Sequence, residues 1–153
     1  MDYQTILSQL KSLAEEDAFC LPLLSNAAAL LFDALPDLNW AGFYLLRDGR
    51  LVLGPFQGKV ACIHIALGKG VCGTAAAEDR TLCVGNVHLF PGHIACDAAS
   101  NAEIVVPLHR NGAVIGVLDL DSPRFGRFDA ADRAGLEAFV RILEDTVQWE
   151  GLF

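Results

Sequence analysis

The sequence predicts an α+β fold, a central antiparallel sheet between helical layers. Three observations carry that prediction. Apolar residues recur at helical spacing at both ends of the chain. Asp48-Gly49 and Asn111-Gly112 are two-residue hairpin signals, each set between apolar runs. Consecutive hairpins require antiparallel pairing, and the terminal helices must then cover one face of the sheet.

In order, Ile6, Leu7, Leu10 and Leu13 predict a helix over 3–14. A second helix runs from about Pro22, suited to a first turn, to Leu35, with Pro36 ending it. Residues 40–46 read as a strand, turned at Asp48-Gly49 into an antiparallel partner over 51–56. Residues 60–66 alternate, which places Cys62 on a strand, on the same side as His64. The run Gly68-Lys69-Gly70-Val71-Cys72-Gly73 leads into a helix that Thr74 could cap. Its glycines fit tight helix–sheet packing better than a phosphate loop, which wants a hydroxyl directly after the Lys. Residues 81–84 form a short strand carrying Cys83, most simply a core residue. Residues 103–110 and 113–120 form the hairpin about Asn111-Gly112. Asp129 followed by Asp132 resembles a capping box, opening a long amphipathic helix that ends near Trp149.

The chain has 153 residues with 53% hydrophobic and 20% charged content, which suits one compact domain over 1–153 with a sizeable core. A net charge of −8 argues against nucleic acid and anionic membranes as partners. No uninterrupted apolar run approaches the roughly 18 residues of a membrane span. The N-terminus has no basic region followed by an apolar run, so a cytoplasmic location is expected. In that compartment the five cysteines should rest reduced. Their odd number and the lack of Cys-x-x-Cys leave catalytic thiols, metal ligands or packing.

Residues 90–108 mix chemistry-bearing types. Pro91-Gly92 breaks regular structure and places His93 to Cys96 on a loop. A loop thiol beside free backbone amides can be activated, although a lone Cys is more often a small buried hydrophobe. Trp40, Gly42 and Tyr44 share one face of their strand, as core filling or as the aromatic wall of a pocket with Gly42 giving close access. Asp119 and Asp121 share a face in an apolar strand, which is costly unless that face is open to solvent or a cation meets them. Counting from the turn, Arg110 opposes Ala113, so Glu103 falls opposite about Leu120. Three carboxylates then gather where the Cys96 loop enters the sheet, with no Lys or Arg nearby in sequence except Arg124. Such a cluster raises its own pKa values unless a cation is supplied. The simplest missing partner is an ammonium or metal ion on the ligand side, with one acid protonated and able to donate a proton.

Four runs carry a resemblance: 54–59 (Gly-Pro-Phe-Gln-Gly-Lys), 68–74, 92–105 with its His-Ile-Ala-Cys-Asp core, and 115–122 (Ile-Gly-Val-Leu-Asp-Leu-Asp-Ser). Together they resemble the free methionine-(R)-sulfoxide reductases, GAF-domain enzymes, over essentially the whole chain. The resemblance implies a GAF-like fold and reduction of free methionine (R)-sulfoxide without a bound cofactor. Cys96 would be the nucleophile, Cys62 the resolving thiol that closes a disulfide with it, and Cys72 an auxiliary thiol. Glu103, Asp119 and Asp121 would hold the substrate amine and handle the sulfoxide oxygen. Trp40 and Tyr44 would surround the substrate methyl, and the amides of Ile94, Ala95 and Cys96 would cradle the carboxylate. The sulfenic acid on Cys96 would condense to a disulfide that thioredoxin reduces. Relatives also suggest a homodimer. Cys20 and Cys83 match no family cysteine and are expected to be packing.

Two rival readings remain at this point. Cys62, His64, Cys72, His88, His93 and Cys96 could supply zinc ligands, although without paired knuckles. A GAF-like domain could also be a non-catalytic sensor, since fold does not set function.

Overall fold

The computed structural model describes residues 2–93 and 98–150. The elements in order are α1 (Tyr3–Glu16), α2 (Cys20–Ala34), β1 (Trp40–Arg47), β2 (Arg50–Gly58), β3 (His64–Ala66), α3 (Gly70–Glu78), β4 (Leu82–Val84), a 3-10 turn (Val87–Leu89), β5 (Ala102–Arg110), β6 (Ala113–Ser122) and α4 (Ala130–Thr146). The strands form one six-stranded sheet in the order β3-β2-β1-β6-β5-β4. Every pairing in it is antiparallel.

Period-2 alternation sorts the side chains onto two faces. Ala41, Phe43 and Leu45 of β1, Ile104, Val106 and Leu108 of β5, and Leu118 and Leu120 of β6 pack under α1, α2 and α4. Their neighbours Trp40, Tyr44, Val105 and Val117 face the other way, against α3 and Cys72. The predicted α+β architecture is therefore present, with three helices on one face and a single short helix on the other. The acids lie on that second face, beside α3, with Glu103 and Asp119 buried.

Both hairpin turns form as the sequence predicts, with positive φ at Asp48, Gly49, Asn111 and Gly112. The capping box at the start of α4 is also present: Asp132 N donates to Asp129 Oδ1 at 2.9 Å and Asp129 N donates to Asp132 Oδ2 at 3.0 Å. Asp132 further accepts from Tyr3 Oη at 2.7 Å and from Arg127 Nη1 at 3.0 Å, which ties α1 to α4. Gly135 is required here, because a Cβ would meet the Tyr3 ring at 2.3 Å.

Several expected boundaries move. Residues 60–63 are not a strand, since β3 pairs with β2 only through its three residues. Cys62 is thus off the ladder and half-buried, while His64 is exposed. Thr74 does not cap α3: Lys69 occupies the N-cap, and the Thr74 hydroxyl donates to Gly70 O at 2.6 Å inside the helix. The tight packing predicted for this glycine run is found, since a Cβ on Gly73 would lie 2.4 Å from Ala66 O. Helix α2 starts two residues before Pro22, at Cys20, and α4 ends at Thr146, short of the buried Trp149. Cys20 is packing, as expected, but Cys83 is an exposed thiol that donates to Phe128 O. It lies on β4, the edge strand, where no further strand covers it.

Candidate active site

The β5–β6 register decides the site. The pairing slips by one residue between Leu108 and His109, so Glu103 opposes Asp121 instead of Leu120. The regular count from the turn would have put Glu103 on the opposite face from Asp119 and Asp121, because a one-residue slip reverses every side chain. With the bulge, Glu103, Asp121 and Trp40 stand side by side on three adjacent strands. Asp119 follows on the same face, opposite Val105 and Gly42.

A cavity opens on this face, lined by Trp40, Tyr44, Cys72, Glu103, Asp119 and Asp121. Ser100 and Lys69, which the sequence did not single out for this site, line it as well, as does His93, offered there only as a zinc ligand. Lys69, on the turn before α3, lines the cavity from an exposed position and makes no ion pair with the acids among the described residues. Arg124, the expected candidate, pairs with Asp37 at 3.1 Å instead.

Trp40 stacks between Phe56, at 5.2 Å between ring centroids, and Tyr44, at 5.9 Å. The two wall residues also hold the segment that failed to become a strand. Trp40 Nε1 donates to Lys59 O at 3.1 Å, and Tyr44 Oη donates to Cys62 O at 2.8 Å. Gly42 serves the wall and not a ligand: a Cβ there would lie 2.3 Å from Phe56 Cβ.

Cys72, Glu103 and Asp119 are 4%, 7% and 5% exposed, so solvent does not meet their charges. Their ligand atoms all lie within 4.8 Å of one another. The Cys72 thiol donates to Glu103 Oε2 at 3.8 Å. Asp119 Oδ1 is buried without a hydrogen-bond partner among the described residues. Burial, then the neighbouring Asp119 and Asp121, push the Glu103 carboxyl well above its usual range. Burial also raises Asp119, against which the hydrogen bonds from Glu103 and Cys72 favour its ionised form. Both carboxyls are thus pushed toward holding a proton, Glu103 the more strongly. Burial and the neighbouring Asp119, Glu103 and Asp121 push the Cys72 thiol well up. The same causes raise the Tyr44 phenol and keep it a donor.

Cys62 is disulfide-bonded, whereas Cys20, Cys72 and Cys83 are free, so its partner is not among the described residues. Ile94, Ala95 and Cys96, expected to form the carboxylate cradle and the nucleophile, lie outside the described residues. The zinc set suggested by sequence does not assemble from the described residues: His64 is exposed on β3 and His88 Nε2 bonds Asn101 Oδ1 at 2.8 Å. Among the described residues, Cys72, Glu103 and Asp119 are the group spaced to hold a metal ion.

The GAF domain family model matches residues 24–148. The free methionine-R-sulfoxide reductase of Escherichia coli is 57% identical over 132 residues, covering 86% of this chain and 79% of that protein. The chain belongs to the free methionine-R-sulfoxide reductases. These are GAF-domain oxidoreductases. The structure of fRMsr of Staphylococcus aureus in complex with substrate is 51% identical, covers 95% of each chain and superposes with a TM-score of 0.91. The Neisseria meningitidis enzyme in complex with its substrate is 43% identical, with a TM-score of 0.91, over 94% of this chain and 87% of that one. Within this family the reductase presents, on the face opposite its three large helices, an anionic cavity with an aromatic wall.

Proposed function

We propose that this chain reduces free L-methionine (R)-S-oxide to L-methionine through a disulfide cycle. The observation that carries the reading is the buried pair Glu103 and Asp119 beneath an aromatic wall, with Asp119 Oδ1 unpartnered among the described residues. Asp119 and Asp121 meet the substrate ammonium, which gives the buried Asp119 Oδ1 the partner it lacks among the described residues. Trp40 and Tyr44 flank the methyl group. The amides of Ile94, Ala95 and Cys96 take the carboxylate. A peptide-bound methionine sulfoxide has neither charge and would leave the acids unpaired, so free substrate is preferred.

In the chemical step the Cys96 thiolate attacks the sulfoxide sulfur while Glu103 gives its proton to the oxygen. A bond between the two sulfurs forms, the hydroxyl passes from the substrate sulfur to the Cys96 sulfur as the substrate S–O bond and that S–S bond break, methionine leaves as the thioether, and Cys96 is left as a sulfenic acid. The Cys62 thiol then displaces water from it and closes the Cys62–Cys96 disulfide. The disulfide state of Cys62 supports its resolving role. The raised thiol of Cys72 fits a hydrogen-bonding role toward Glu103, not a nucleophilic one. Two electrons from thioredoxin return both sulfurs to thiols, which places the protein in a reducing, cytoplasmic setting. No helix among the described residues is long and apolar enough to cross a membrane.

The test is a thioredoxin-coupled assay on the two sulfoxide epimers, free and N-blocked. Turnover is expected only with the free R epimer, and Cys96→Ser is expected to abolish it. Equal turnover of the blocked compound would refute the ammonium assignment, and full activity in Cys96→Ser would refute the nucleophile.

A further inference from the structure

The disulfide at Cys62 has to be reached by its reductant, and the surface beside it exposes three large apolar side chains. Val60, Ile63 and Leu67 are 87%, 64% and 41% exposed, although the chain has a full core in which to bury such side chains. Between residues 57 and 69 only Ala61, Cys62 and Ile65 are not exposed. This exposure is held in place. Trp40 and Tyr44 anchor the backbone at Lys59 and Cys62, and Leu53 N donates to Ile63 O at 2.9 Å. The segment ends in β3, which pairs only with β2 and leaves its other side as the edge of the sheet.

Charge sets the segment apart a second time. The protein carries 19 acidic and 11 basic residues, yet residues 49–77 contain no Asp or Glu and include Arg50, Lys59 and Lys69. A solvated loop of an acidic protein has no need of a long acid-free run around an apolar patch. A docking surface does: apolar residues supply the contact, and a basic rim selects a partner of opposite charge.

We infer that Val60, Ile63 and Leu67, rimmed by Lys59 and Lys69, form the docking surface for the reductant. Its occupant is a dithiol protein whose reactive thiol lies in an apolar surface with carboxylates around it. This rests on the disulfide cycle proposed above. Seated there, the partner's thiolate faces Cys62 and attacks its sulfur. A mixed disulfide forms, the intramolecular S–S bond breaks, and the other sulfur leaves as a thiolate. The partner's second thiol then attacks the mixed disulfide, freeing Cys62 and carrying away the oxidised disulfide, with two electrons transferred in all.

The test compares two reductants on the full chain, thioredoxin and dithiothreitol, with free methionine (R)-sulfoxide as substrate. Neither Ile63 nor Leu67 lines the cavity. Ile63→Glu and Leu67→Glu should therefore keep the dithiothreitol-driven rate and raise the KM for thioredoxin by about tenfold or more, as a charge placed in an interface core does. Added salt should raise the thioredoxin KM of the wild type while leaving the dithiothreitol rate unchanged. A thioredoxin KM unchanged in both variants would overturn the docking surface. So would a wild-type dimer that Ile63→Glu converts to a monomer with its thioredoxin KM intact, since the patch would then belong to a second copy. A wild type that dithiothreitol cannot drive would refute the disulfide cycle itself, which separates the two failures.

Discussion

Replacing Glu103 with Gln keeps the shape of a buried side chain and removes its proton. The acid atoms of Glu103 and Asp119 lie within 4.8 Å of each other. Two full charges at that separation, at an effective dielectric constant of about 20, repel by at least about 3 kcal/mol. Both are buried, so water does little to relieve this. Ionising both is therefore disfavoured, and Glu103 keeps the proton that the sulfoxide oxygen needs. Glu103→Gln should lower kcat by about 10²- to 10⁴-fold, the usual worth of a general acid. The same reasoning has a consequence for stability. The folded Glu103 carboxyl titrates above its unfolded value near 4.5, so the folded state binds more protons than the unfolded state above that pH. Stability of the substrate-free wild type must then fall as pH rises from about 4.5 through the raised folded value, by about 1.4 kcal/mol for each pH unit in that window. The Gln variant lacks this loss. Thermal unfolding at pH 5 and pH 8 measures it: the variant should gain on the wild type at the higher pH. A melting-temperature difference independent of pH, or a kcat within about twofold of wild type, would refute the assignment of the proton to Glu103.

Further outcomes follow from the same geometry. Cys62→Ser should allow one turnover per chain but no sustained cycle with thioredoxin, read by single-turnover against steady-state assays. Cys83→Ser should leave both activity and stability near wild type, since that thiol is exposed at the sheet edge; a large loss of turnover in a folded variant would contradict this. Gly42→Ala should displace Phe56 from Trp40 and cost roughly 1–3 kcal/mol, measured by denaturant unfolding, with a raised KM for the sulfoxide. His109 lies between Asp79 and Glu144 at 2.6 Å on each side. Burial lowers its pKa, but the bonds to the two acids outweigh this and raise it above 6.5. Its contribution is therefore complete below pH 6.5 and lost as pH rises through the folded value, so His109→Ala should destabilise the protein more at pH 6 than at pH 9.

Local chemistry was enough to read much of this protein. Helical spacing at the two ends marked α1, α2 and α4, and Asp48-Gly49 and Asn111-Gly112 specified their turns because few other residues accept positive φ. The acids at 103, 119 and 121 stood out because apolar strands reject charge. Other features depended on partners distant in sequence. The slip after Leu108 is invisible in a count from the turn, yet it alone brings Glu103 onto the face of Asp119. Residues 60–63 alternate like a strand, but Trp40 and Tyr44 bind their carbonyls at Lys59 and Cys62, so the segment bends out of the ladder. Cys83 sits on a strand that reads as core, and only its place at the edge of the sheet exposes it. Lys69 lies more than thirty residues from Glu103 in the chain, and the turn into α3 carries it to the same cavity. Turn type and periodicity are properties of neighbouring residues and survive in the linear sequence. Register, edge position and the meeting of charges are set by which strands lie side by side, and that exists only once the chain has folded.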